Sequence, residues 1–419
     1  MSSCLSGEKK GNKMKLAVDL HSHSGYAGGV GQIELKAVSA TMKLKGIDIF
    51  GTGDCLYPPR TEELRNELTE MEAGLFSLPN DSSRFLLQTE VIFSTQLAGY
   101  KNKTVAHHII FFPDFASIAK MQNLMQKWKM KNTIGRPFIV SNSQKELADQ
   151  LFQIAEIHPL IEIVPAHVMT PDGILGSKNN LAEMPEFYGA FQPQIHCIET
   201  GLSADPAMLE KIPELAELTF ISNSDCHSAA LNRIGREFTV LDAEDKTYNS
   251  IIAALRQNRV DFTAEFNPAE GRYFLTGHRA NRVGHEHEII FRENPPQNLI
   301  CPICGKRLNL GVQQRCLQLT DKKIIPMKRK FKRLIPLVEV VATSLNLKNV
   351  MSPKVDKIFR EIMEIFPSEI ALWQSAGVEV MLDKRISPKT INRILAVQRG
   401  EFRFDPPGFD GLYGNLIIG

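Results

Sequence analysis

The chain lacks several things that would decide its class at once. No run of about 18 uninterrupted apolar residues occurs, so nothing in it reads as a membrane span. Cysteine is scarce: 7 in 419 residues, an odd number and thinly spread apart from Cys301 and Cys304. That excludes a disulfide framework and favours a reducing cytoplasm. Neither sign of charge prevails, the net value being only +2, so overall charge announces no nucleic-acid partner. There is no Gly-rich phosphate loop of the Walker type and no internal repeat. With 43% hydrophobic and 23% charged residues, the composition is that of a globular protein with ample core. Residues 1–13 have no apolar stretch of signal-peptide type and read as a floppy extension before Met14.

From Lys15 to about Phe262, short β-branched runs alternate with longer amphipathic ones. KLAVDLH, IDIFGTGD, FLLQTEVIF, TVAHHIIFF, IEIVPAHV, QIHCIET and LTFISNSDCH read as buried strands. Strand and crossover repeated about seven times predict an α/β layered or barrel domain with a parallel sheet. Nearly every one of these strands ends in a His, Asp or Glu: His21 and His23, Asp54, Glu90, His107, His167, Glu199, Asp225 with His227. Charges at such positions are costly to desolvate unless paired or metal-bound, and C-terminal strand ends are where α/β sites assemble.

Past Thr263 the character changes. A polar stretch leads to CPICGKRLNLGV, and residues 335–399 turn helical before the turn-rich tail FRFDPPGFDGLYGNLIIG. The division predicted is 14–266 for the α/β domain, 267–320 for a small zinc-binding module and 321–419 for a helical, DNA-binding module. The segment 322–333 (KKIIPMKRKFKR) carries seven basic side chains and no acid. It reads either as a solvated linker or as a phosphate-backbone contact through Lys328 and Arg329.

In HSH at 21–23 and DCH at 225–227, the outer residues point to the same side of an extended chain. Mixed imidazole and carboxylate donors suit zinc, manganese or iron. With Glu90, His107 and His167, they predict a multinuclear centre, an arrangement fitted to phosphoester hydrolysis. Cys301 and Cys304 form half of a zinc knuckle, with His278, His285 and His287 as candidates to complete it; a His₂Cys₂ set with His278 and His285 is expected.

The order HSHS, TGD, Glu90, His107, His167, SNSDCHS resembles the PHP (polymerase and histidinol phosphatase) family. The resemblance implies a distorted seven-stranded (β/α) barrel with a trinuclear centre held by His21, His23, Asp54, Glu90, His107, His167, Asp225 and His227. Asp54 stands where many relatives have His. PAHVMTPDGILGS, ETGLSADP, SNSDCHS with GRE at 235–237, CPICGKRLNLGV and PPGFDGLYG resemble the endonuclease Q group within it, from Met14 to the C-terminus. That likeness implies a DNA repair endonuclease cutting 5′ of uracil, hypoxanthine, xanthine or an abasic site, leaving a 3′-hydroxyl and a 5′-phosphate. Zinc in the PHP centre, with manganese or magnesium in turnover, and one structural zinc would be its cofactors. Asp225, His227, Glu90 and His23 would carry catalysis.

The resemblance also places a base pocket beside the metals. There Asn223 and Ser203 either read the carbonyl that marks deamination or, for Asn223, tie a strand end to its loop. A monomer is expected, and a sliding clamp stays open as a partner. The alternatives are a small-molecule PHP phosphatase of the histidinol-phosphate or nucleotide type, and a non-catalytic DNA-binding module.

Overall fold

The structure, a computed structural model, describes residues 13–27, 33–281, 284–382 and 385–419. The expected extension at 1–13 lies, but for its last residue, outside them.

All seven expected strands form, at Met14–Asp19, Ile49–Gly51, Arg84–Thr95, Thr104–Phe112, Glu162–Pro165, Cys197–Glu199 and Thr219–Ile221. Each supplies an apolar side chain to one interior cluster: Leu16, Ile49, Leu86, Ile109, Val164, Cys197 and Ile221. Burying such side chains contributes roughly 1.5–3 kcal/mol apiece, so this cluster fixes which face of every strand turns inward. A larger apolar layer lies outside it, where helices such as Leu35–Lys45 and Gln144–Ala155 cover the barrel. The result is a distorted α/β barrel.

The sheet is mixed rather than parallel. Arg84–Thr95 and Thr104–Phe112 pair antiparallel over nine residue pairs. The residues 96–103 between them are too few for a crossover, which takes about a dozen or more. A further strand, Phe238–Ala243, pairs antiparallel with both Met14–Asp19 and Val260–Glu265. Thr239 Oγ1 then closes the circuit, accepting from Ser222 N–H (2.9 Å) and donating to Ser222 O (3.0 Å).

The helical segment after residue 335 has a core of its own, with Val338, Val341, Phe359, Ile362, Leu372 and Ile394 at its centre. Two of its helices, Pro353–Met363 and Pro388–Gln398, open on Ser-Pro. The serine hydroxyls of Ser352 and Ser387 accept from the third helical N–H, and proline supplies the first helical φ. One buried ion pair ties this segment to the barrel, Lys45 Nζ to Glu369 at 2.8 Å. Among the described residues no helix is long and apolar enough to cross a membrane.

Candidate metal centre

The two motifs HSH and DCH lie side by side. Ser22 and Cys226 form an isolated parallel bridge, and His23 N–H donates to Cys226 O (2.9 Å). With the middle residues in register, the pleat turns His21, His23, Asp225 and His227 toward one space. Cys226 faces away into the apolar layer. Glu90 enters from Arg84–Thr95, one strand beyond Ile49–Gly51, and His107 follows from its antiparallel partner Thr104–Phe112. Three overlapping donor sets result: His21, His23 and Glu90; His23, Asp225 and His227; Glu90, His107 and His167.

Glu90 is the hub. Its Oε1 lies 2.7 Å from His107 Nδ1 and 3.2 Å from His167 Nε2, and its Oε2 lies 3.5 Å from His23 Nε2. Burial pushes the Glu90 carboxyl up, but the His107, His167 and His23 imidazoles outweigh it and hold it well below the usual range. Burial likewise works against a charged His21, yet Glu199, Asp225 and Glu90 carry it up to about 9. A buried set of carboxylates that draws positive charge this strongly is built for cations.

The tautomers fit that reading. His21 Nδ1 sits 3.0 Å from Glu199, which can only accept, so Nδ1–H donates. His23 Nδ1–H donates to Asp54 (3.1 Å), and His227 Nδ1–H to the Asp225 carbonyl (3.0 Å). Thr170 uses its hydroxyl proton on His167 O, so its oxygen accepts from His167 Nδ1–H (2.9 Å). Four rings thus keep an Nε2 lone pair for the centre, the arrangement outer-shell partners impose on metal-binding histidines. His21 Nε2 is fully buried and makes no hydrogen bond, with Asp225 at 3.7 Å and Glu90 at 4.0 Å around it. The residues fit bound metal ions. Backbone strain marks the same place: Asp54, His167 and Asp225 have φ of 54°, 31° and 44°, a region costing on the order of 1–3 kcal/mol per residue.

A second set gathers His278, His285, Cys301 and Cys304. Cys301 Sγ lies 3.3 Å from His285 Nε2, and Cys304 Sγ 3.6 Å from His278 Nδ1. His278 Nε2–H donates to Arg307 O (3.1 Å), leaving Nδ1 for a metal. His287 is exposed and outside the set.

No family model matches the chain. It is 29% identical to an uncharacterised protein of Methanocaldococcus jannaschii over 236 residues, 55% of this chain and only 29% of that protein, so the chain spans less than a third of it. It is 25% identical to the uncharacterised Bacillus subtilis protein YqxK over 96% of this chain and 99% of that one. Among solved structures, the lesion-specific endonuclease PfuEndoQ from Pyrococcus furiosus superposes with a TM-score of 0.81 at 26% identity, covering 97% of this chain and 96% of that one. A complex of endonuclease Q with a 27-mer duplex carrying an abasic lesion at the active site gives the same score and identity, with 97% of both chains covered. The chain has the endonuclease Q fold.

Within the endonuclease Q fold, the expected residues divide between the donor sets and positions outside them. Asp54 stands behind His23: one oxygen accepts from its ring and the other from Ser24 N–H (2.7 Å) and Oγ–H (2.5 Å). It belongs to none of the three donor sets, and its contact with the centre runs through the His23 ring. Asn223 is fully buried; its Oδ1 accepts from Leu20 N–H (2.7 Å) and its Nδ2–H donates to Glu199 (2.9 Å). One amide hydrogen and one lone pair remain, but the side chain reaches the centre through Glu199 and His21 rather than facing the cavity.

Ser203 is buried beneath Gly271, while Gly201 and Leu202 of the same string line the cavity over the metal centre. Arg329 is a barrel staple, stacked 3.9 Å over Phe220 and donating to Ala216 O and Leu218 O. Lys328 is exposed, yet it borders a cavity with Val260 and Asp261, level with the start of Met14–Asp19 and hence at the opposite end of the barrel. His108, next to His107 on the same strand, faces the core and bonds Tyr188, whereas His107 belongs to a donor set.

Residues the sequence reading passed over are Glu199 as an orienter, Thr170, Arg136 and Arg272. Glu199 was visible as a strand-end acid; the arginines sit in loops that carry no spacing signal.

Proposed function

We propose that this protein is a metal-dependent DNA repair endonuclease that hydrolyses the phosphodiester 5′ of a deaminated base or an abasic site. The observation that carries this reading is the full-length match to the two endonuclease Q structures, one holding a duplex with an abasic lesion at its active site. The chemistry of the cluster supports it. Ions held by these donor sets, zinc with manganese or magnesium in turnover, would lower the pKa of a bound water and neutralise the phosphate.

The protein's share of the work is positional. His21, His23, Glu90, His107, His167, Asp225 and His227 would hold the ions, with Glu90, His107, His167 and Asp225 lining the cavity. Glu199, Asp54 and Thr170 fix their rings. The cavity over them, about 410 Å³, has room for a nucleotide unit taken out of the stack. The segment 14–266 would carry the chemistry, the His₂Cys₂ set a structural zinc, and the helical segment part of the DNA contact.

The test is a denaturing gel of a 5′-labelled duplex with one central deoxyuridine, deoxyinosine or abasic site, incubated with Mg²⁺ or Mn²⁺. One nick 5′ of the lesion is expected, absent with undamaged duplex and with Asp225→Asn. Turnover of a phosphomonoester without any nick would overturn the reading in favour of a phosphatase.

A further inference from the structure

We propose that Arg136 and Arg272 are the phosphate contacts of this site, Arg136 on the non-bridging oxygens of the bond to be cut and Arg272 on a neighbouring phosphate of the same strand. The proposal rests on the endonuclease reading above and names how the cavity would grip the backbone.

Both side chains line the cavity that opens on Glu90, His167 and Asp225. Arg136 donates one N–H from Nη1 to Glu90 (3.2 Å), while its Nε is buried without a partner and about a third of the side chain stays exposed. Glu90 already faces three imidazoles and needs no further cation. An arginine beside a centre that collects metal ions is repelled once they bind, unless an anion shares its fork. A phosphate group supplies that anion, and the planar guanidinium matches two of its oxygens.

The loop holding Arg136 is fixed with care. Asn132 Nδ2–H donates to Leu56 O (2.7 Å), Gly135 N–H to Tyr26 O (2.8 Å), and Pro137 O accepts from Ile92 N–H (2.9 Å). Gly135 presses on the Asp54 carboxylate so closely that a Cβ there would fall 2.5 Å from Asp54 Cγ. The same contact thus seats the orienter of His23 and the loop that aims Arg136.

Arg272 gives the C-terminal string PPGFDGLYG a task. Gly408, Gly411 and Gly414 donate their N–H groups to Ala269, Arg272 and Glu270 carbonyls, and Gly408 accepts from Leu275 N–H, zipping the loop onto residues 269–275. A side chain at Gly408 would collide with Gly271 O, 2.0 Å from an ideal Cβ. Held in this way, Gly411 O accepts from Arg272 Nε–H (3.1 Å), and the guanidinium lies 5.8 Å from the Tyr273 ring and 5.5 Å from Tyr413. The remaining N–H groups of this exposed arginine are then preset at the cavity.

Single-turnover nicking, duplex affinity at several salt concentrations and bound metal are measured for the parent, Arg136→Ala, Arg136→Lys and Arg272→Ala, with bis(p-nitrophenyl) phosphate turnover alongside. Arg136→Ala is expected to lower the nicking rate about 10²–10³-fold, as loss of a transition-state donor does, with metal content unchanged and Arg136→Lys recovering part. Arg272→Ala should weaken binding alike for every lesion and reduce the salt slope by about one. Metal lost in step with activity in Arg136→Ala would make it a holder of Glu90 and overturn its assignment. Parent-like behaviour in either variant overturns that residue's role. A parent that spares every lesion duplex but cleaves the small diester sinks the endonuclease reading while still reporting on Arg136; a parent inactive on both overturns the two together.

Discussion

The two candidate metal sites among the described residues are built on opposite plans. The His/Cys set needs little more than a hairpin end and one turn: His278 and His285 face Cys301 and Cys304 across a short polar stretch, with the Arg307 carbonyl fixing one ring. The barrel centre gathers seven side chains from residue 21 to residue 227, and three of the residues there or beside it sit in left-handed backbone. A local site can stabilise only its own segment. A centre assembled from the ends of separate strands presupposes the whole barrel, and its rings are oriented by a further layer of Asp54, Glu199 and Thr170. The difference is that between a staple and a workplace.

Removing a shared donor from the barrel centre should break the comparison most severely. Glu90 belongs to two of the three donor sets. Glu90→Gln should cost at least about 1000-fold in nicking, as expected when one member of a unit that acts together is lost. Bound metal, measured by elemental analysis, should fall by the ions of those two sets, leaving at most the ion of the His/Cys set and one on His23, Asp225 and His227. Metal content equal to the parent's would contradict the shared-donor picture.

The reverse experiment is Cys301→Ser with Cys304→Ser. Structural zinc binding is worth about 10–16 kcal/mol in isolated finger peptides, so its loss should loosen the segment around it. Limited proteolysis should then cut between residues 276 and 310, while the barrel core stays protected. Nicking should fall by less than about tenfold, since neither of these cysteines belongs to the donor sets of the barrel centre. A loss as large as that of Glu90→Gln would mean that the small module contributes directly to the site.

A finer separation lies within the barrel centre, between residues that donate and residues that orient. Glu199→Gln should weaken metal affinity about 10–100-fold, the usual effect of an outer-shell change. Asn223→Ala loosens Glu199 at one step further removed, so about tenfold is expected. The abasic duplex decides its role, because it offers no base to read. Equal losses on uracil, hypoxanthine and abasic substrates fit an orienting amide; a loss confined to the two bases would return Asn223 to base recognition.

Much of this was legible in the sequence, and the reason is periodicity. Seven buried strands announce themselves by β-branched runs, and a His or acid closing nearly every run marks one rim of the barrel. The His₂Cys₂ set was readable because its ligands crowd one short stretch. What stayed hidden depends on direction rather than order. The antiparallel hairpin at residues 84–112 follows from a connection whose shortness was not weighed. Asp54 reads as a ligand by position, and Asn223 as either a base contact or a strand-end tie; only the paths of their oxygens and nitrogens, to the His23 ring and to Leu20 and Glu199, show what they touch. Arg329 sits in a basic run that reads as solvated or phosphate-bound, yet the Phe220 face and two carbonyls absorb it. Arg136 and Arg272 had no periodic context, since loops place side chains by tertiary contact alone.

The last contrast sits on one strand, in neighbouring histidines. His107 faces the metal centre, and His108 faces the core, flanked by the Phe93 and Phe187 rings. His108 Nδ1 lies 3.2 Å from the Ala106 carbonyl, which can only accept, so that nitrogen carries the proton; Nε2 then accepts from the Tyr188 hydroxyl (2.6 Å). No site is left for a second proton. Burial drives its pKa from 6.5 down to about 3, against a small upward pull from the Ala106 carbonyl. Between those values the unfolded chain binds a proton that the folded one refuses. Stability from this residue is therefore full above about pH 6.5 and declines as pH falls toward 3, at up to about 1.4 kcal/mol per unit. Replacing His108→Leu together with Tyr188→Phe removes the pair without stranding either partner. In urea titrations between pH 4 and 7, the double variant should show a flatter decline than the parent. An unchanged slope would mean that the acid sensitivity arises elsewhere, and that the apolar setting of His108 does less to hold it neutral than its burial implies.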